Sequence, residues 1–148
     1  MTQKRINLSY KYITIMLLGF ATVLAACGGE AQIDPNEIGS PERGREIFEN
    51  GNEVISAECA GCHSLDGVDI ESGLRKFPTL QGISERAGDR LPEMSSVDYL
   101  RESILDPSAY IVDGYEDRME KGYKYGLSEE EVNDLIAFFY LLSKPSTD

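Results

Sequence analysis

The clearest periodicity in the chain lies near its end, where Val132, Leu135, Ile136 and Phe139 recur at i, i+3, i+4 and i+7. That is the repeat of one buried helical face. Ser128-Glu129-Glu130-Glu131 ahead of it reads as a capping box, Leu127 and Val132 as a hydrophobic staple around the cap, and Pro145 as the stop. A second helix is predicted after Ser95-Ser96-Val97-Asp98, with Val97, Leu100 and Ile104 on one face and an end at Asp106-Pro107. A third opens at Ser40-Pro41-Glu42, an N-cap, a first-position proline and a first-turn acid, and runs to about Phe48. Gly44 sits inside it at a cost of about 1 kcal/mol relative to alanine, which predicts close approach of another helix or backbone. Between Ser64 and Arg90 glycine and turn residues dominate, with at most a short helix after Ser84, and no segment alternates as a strand would. The pattern predicts an all-α domain of short helices and long irregular segments. A small domain built that way needs something rigid to organise its loops.

The front of the chain is different in kind. Tyr12 to Ala26 is a run of fifteen uncharged residues behind Lys4, Arg5 and Lys11. A spanning helix needs about 20 apolar residues, so the run fits the hydrophobic region of a signal peptide better than a retained anchor. It ends in Leu24-Ala25-Ala26-Cys27, which resembles the lipobox of bacterial lipoproteins, where a peptidase cuts before the cysteine. That resemblance implies a diacylglycerol on Cys27, and two acyl chains suffice for stable attachment. Ordinary cleavage nearby, leaving Cys27 as a free thiol, is the alternative. The expected organisation is a lipoprotein signal peptide at 1–26, a lipidated cysteine and flexible tether at 27–39, and a folded domain at 40–148, exported and lipid-anchored at the outer, periplasmic or extracytoplasmic face of the bacterial cell membrane.

Composition narrows the function. The 148 residues allow one domain, and the formal charge is −12. All 26 acidic residues follow Ala26, against 11 basic ones, so the chain from Cys27 onward carries −15. Nucleic-acid binding, which rests on Lys and Arg neutralising phosphates, is excluded as an expectation. About 105 folded residues bury only around two-thirds of their unfolded surface, so a bound prosthetic group would complete the core.

Cys59-Ala60-Gly61-Cys62-His63 announces such a group, since C-x-x-C-H is the attachment pattern of c-type haem. Two thiols three positions apart can each add to one of two vinyl groups, and the adjacent histidine can give Nε2 to the iron. A structural zinc site wants four ligands, and one Cys pair with one His falls short. A thioredoxin-like dithiol would be expected beside a βαβ unit, and a plain disulfide leaves His63 without a role.

With that motif the chain resembles the class I cytochrome c family from Ser40 to Lys144. Gly44-Arg45-Glu46-Ile47-Phe48 looks like the family's first helix, in which a glycine and an aromatic residue meet the last helix, here the one bearing Leu135 and Phe138-Phe139-Tyr140. The implied fold is the small all-α class I cytochrome c fold, a few short helices and loops wrapped around one covalent haem. Phe77-Pro78-Thr79-Leu80 resembles the segment whose proline carbonyl accepts a hydrogen bond from the proximal histidine, which would give Pro78 an orienting role toward His63; the alternative is that Pro78 is simply a turn residue. Met1 and Met16 leave with the signal, so Met94 and Met119 remain as sixth ligands, or as core fillers. Met119 precedes the last helix where the family carries its ligand methionine, in a polar loop with few apolar neighbours. Leu105 to Tyr115 and Tyr123 to Ser128 also look like the family's flanking region. The family often has proline directly after this methionine, and here that position is Glu120.

A His63/Met119 pair closes the iron and implies electron transfer rather than an enzyme, with no small-molecule substrate. The lipobox with a single haem also resembles the monohaem subunit of alternative complex III. The partners this implies are membrane lipid through Cys27 and redox proteins: a quinol-oxidising complex, and a terminal oxidase or photosynthetic reaction centre. Acidity favours a basic docking surface or an apolar contact at the haem edge, or merely keeps an exported domain soluble; Arg75, Lys76, Arg118, Lys121 and Lys124 are the cations that could interrupt it near the haem. Weak or absent Met119 ligation would instead leave an open-coordination gas sensor or weak peroxidase. A haem-free thiol oxidoreductase is the remaining class.

Overall fold

The computed structural model describes residues 33–56 and 58–143. The expected signal peptide, Cys27 and Pro145 lie outside them. Among the described residues there are six short helices: α1 (Pro35–Ile38), α2 (Pro41–Asn50), α3 (Ile83–Gly88), α4 (Ser96–Leu105), α5 (Tyr123–Gly126) and α6 (Glu129–Leu141). None of them is long and apolar enough to cross a membrane.

The most extensive contact is between α2 and α6. It forms where Gly44 removes the side chain that would hold the helices apart: a Cβ there would lie 1.9 Å from the Asp134 carbonyl oxygen and 2.9 Å from Phe138 Cβ. Phe48 then packs against Phe138 at 5.6 Å between ring centres and edge-on to Phe139 at 6.3 Å. These three rings are buried with Val132, Leu135 and Ile136; each large apolar side chain so buried contributes about 1.5–3 kcal/mol. At the helix start Asp134, 1% exposed, receives Arg43 Nε at 2.7 Å and the Ser40 backbone N–H at 2.7 Å, so its buried charge is paired and hydrogen-bonded.

The helix boundaries follow local chemistry. Ser40 Oγ accepts from the Arg43 N–H and Ser95 Oγ from the Asp98 N–H, each a side-chain cap. At α6 the capping box is complete: Ser128 Oγ accepts from Glu131 N–H, and the Glu131 carboxylate accepts from Ser128 N–H at 2.7 Å. That backbone bond holds the Glu131 carboxyl below its ordinary value. A depressed carboxyl stabilises the fold above its unfolded value, and the contribution is lost as pH falls through the lowered one. Ser128→Ala is expected to cost about 1 kcal/mol, measured by denaturant unfolding at neutral pH; no change in the midpoint would deny the cap its role. α4 is tied to α6 by hydrogen bonds between the Ser96 and Tyr140 hydroxyls and from Arg101 to Asn133.

Three features depart from the sequence expectation. The tether expected to reach residue 39 is helical at Pro35–Ile38, with Pro35 buried and α1 packed on α6. The cause is local: Asp34 caps the turn by accepting from Asn36 N–H, and Pro35 occupies the first helical position. A two-stranded antiparallel hairpin, β1 (Ile70–Ser72) and β2 (Arg75–Phe77), pairs Ile70 with Phe77 in the segment expected to lack strands. Val97 is half-buried, and Ser96 and Tyr99 share the buried face of α4 with Leu100 and Ile104.

Candidate functional site

Cys59-Ala60-Gly61 forms a single 3-10 turn. The N–H groups of Cys62 and His63 both donate to the Cys59 carbonyl, at 3.1 and 2.9 Å. This winding brings positions i, i+3 and i+4 to one side, and all three, Cys59, Cys62 and His63, line one cavity of about 630 Å³. No disulfide joins the two cysteines. Cys59 is half-buried, and burial pushes its thiol up to about 11.

The Nδ1–H of His63 donates to the Pro78 carbonyl at 2.8 Å. A carbonyl can only accept, so this bond fixes the tautomer and leaves Nε2 with its lone pair. Burial lowers the His63 pKa, with the Pro78 bond opposing it, so the imidazole is neutral at pH 7. Pro78 and Met119 line the same cavity as His63. Met94 is half-buried against the core and is not among the lining residues.

The remaining wall is largely apolar, including Leu80, Ile83, Leu100, Ile104, Leu135 and Phe139. Its polar part contains Arg86, Arg90 and Tyr99, for which the sequence carried no functional signal, together with Tyr110 and Tyr115 from the stretch that resembles the family's flanking region. Of the five cations named there, Lys76 and Arg118 line the cavity and Arg75, Lys121 and Lys124 do not. Arg90 Nε is buried without a hydrogen-bond partner among the described residues. A buried donor left unpaired costs about 1–3 kcal/mol, so the cavity suits a largely apolar ligand that also carries carboxylates. Haem, with its two propionates, has that chemistry, and the two thiols and the imidazole are of the kinds that would attach and ligate it. The residues fit the group.

The family model for cytochrome c matches residues 42–143. The chain belongs to the cytochrome c family. Its cofactor is covalently bound haem c and its function is haem-based electron transfer, with redox proteins as partners and no nucleic acid. A search of curated proteins gave no significant match.

Proposed function

We propose that the cytochrome is an exported, lipid-anchored monohaem carrier in which Cys59 and Cys62 form the thioethers, His63 and Met119 are the axial iron ligands, and Pro78 orients His63. The observation that carries this reading is the convergence of both thiols, a tautomer-fixed histidine and one methionine on a single cavity. Haem supplies the one-electron chemistry. The chain's residues hold it: His63 is kept neutral by burial and oriented by the Pro78 carbonyl, and the apolar faces of α4 and α6 exclude water. Thioether ligation favours the reduced state, which suits accepting electrons from a quinol-oxidising complex and passing them to a terminal oxidase or photosynthetic reaction centre. A place as the monohaem subunit of alternative complex III is consistent with one haem beside a lipobox.

The docked α1 bears on the anchor. Six residues, 28–33, separate Cys27 from the α1 cap at Asp34, and fully extended they span at most roughly 20 Å. A lipid on Cys27 would therefore keep the electron-transfer domain close to the bilayer. Visible spectra of the matured protein test the site: a c-type spectrum unmoved by carbon monoxide after reduction, with the methionine–ferric iron charge-transfer band when oxidised, is expected. A spectrum that shifts would favour an open iron and ligand sensing. Mass spectrometry of the mature chain should find an N-terminal Cys27 bearing diacylglycerol, and any other N-terminus would sink the anchor.

A further inference from the structure

Residues 106–122, which carry Met119, contain no helix or strand. A connection of that length inside a small domain is uncommon, and its shape depends on side-chain bonds. Ser108 Oγ donates to Asp117 at 3.1 Å, Lys121 Nζ to Asp117 at 2.8 Å, and Glu120 Oε1 accepts from the N–H groups of Lys121 and Gly122 at 2.8 and 3.0 Å. These bonds are internal to the loop and do not attach it to the rest of the domain.

Tyr115, four residues before Met119, reaches out of it. Its hydroxyl donates to Asp69 Oδ2 at 2.7 Å. The other oxygen, Asp69 Oδ1, accepts from the Thr79 N–H at 2.9 Å, directly after the Pro78 carbonyl that holds His63. Lys76 Nζ lies 3.1 Å from Asp69 and 5.1 Å from the centre of the Tyr115 ring, so the carboxylate keeps its charge at the join. One carboxylate thus has an oxygen on each side, and Asp69, Thr79 and Tyr115 all line the cavity.

We propose that Asp69 is a positioning residue that, through Tyr115, clasps the methionine loop to the segment holding His63 and so sets how readily Met119 leaves the iron. The proposal rests on the His63/Met119 ligation argued above. Hydrogen bonds to a charged acceptor are about twice as strong as neutral ones, and losing one is worth on the order of tenfold in an equilibrium. The clasp therefore acts on loop opening rather than on the ligand bond itself.

The test is imidazole binding to the ferric holoprotein, followed by its absorption spectrum in wild type, Tyr115→Phe, Asp69→Ala and the double variant. Ser128→Ala serves as a control that lowers global stability at the α6 cap, where Ser128 bonds to Glu131 and to none of Asp69, Thr79 and Tyr115. Tyr115→Phe is expected to raise the apparent imidazole affinity about tenfold, Asp69→Ala at least as much, and the double variant no further than Asp69→Ala, while the control stays at the wild-type value. If Tyr115→Phe behaves as Ser128→Ala does, or if the effects of the single variants multiply in the double, the clasp is overturned. A wild-type protein lacking the methionine–iron charge-transfer band would overturn the ligation reading and the clasp with it, whereas a band present together with an unresponsive Tyr115→Phe overturns the clasp alone.

Discussion

Met119→Ala is expected to leave covalent haem in place and to make the reduced protein bind carbon monoxide. The argument is one of competition. A ligand tethered in the same chain acts at an effective concentration in the millimolar range or above, and an external ligand must displace it. Removing the thioether should raise the apparent carbon monoxide affinity on the order of a hundredfold or more, abolish the methionine–iron charge-transfer band and lower the midpoint potential. Met94 does not reach the cavity wall and cannot substitute. His63→Ala should act differently, since it would remove the proposed ligand held by the Pro78 carbonyl and with it the native ligation. Carbon monoxide titration and potentiometry of the two variants separate the sides of the site. Unchanged ligation in Met119→Ala would remove this methionine from the axial assignment.

Local chemistry made part of this molecule legible. The capping box of α6, its apolar face and the C-x-x-C-H turn each depend on residues within a few positions of one another, and each can be read from spacing. Gly44 was legible as a contact because an interior helix glycine needs a reason, and the reason lay on α6. The hairpin escaped because its strands are three residues each, too short for an alternation to register, and mostly exposed. α1 escaped for another reason: four residues show no period, although Asp34-Pro35 carried the cap-and-proline signal inside a stretch whose glycine and acids suggested a tether. α5, Tyr123–Gly126, is equally short, and one buried tyrosine is its apolar content. The Asp69 join could not be read at all, because Tyr115 is 46 positions away and nothing local marks either residue. Long-range polar pairing is settled by the fold, after the helices have been packed.

Gly44→Ala should be the most damaging single-methyl change in the domain. Two effects oppose each other. Alanine gains about 1 kcal/mol in helix propensity over glycine. Against this, the new Cβ would stand 1.9 Å from the Asp134 carbonyl oxygen and 2.5 Å from its carbon, both backbone atoms of α6 that cannot swing aside. The helices must move apart by more than 1 Å, a step that loosens Phe48 from Phe138 and Phe139 and stretches Arg43 from the buried Asp134. Overpacking of this kind costs about 1–3 kcal/mol and sometimes more, and weakening a buried charge pair adds to it. A net loss of about 2 kcal/mol or more is expected, which lowers the melting temperature of a domain this size by about 10 °C. Thermal unfolding of the holoprotein checks it, and a variant as stable as wild type would mean that α2 and α6 do not meet at Gly44. The consequence extends to the site, because α6 presents Asp134 and Phe138 to α2 while Leu135 and Phe139 line the cavity. A displaced α6 moves that wall, so the methionine–iron band should weaken at temperatures below global unfolding, linking the helix crossing to the closure of the iron.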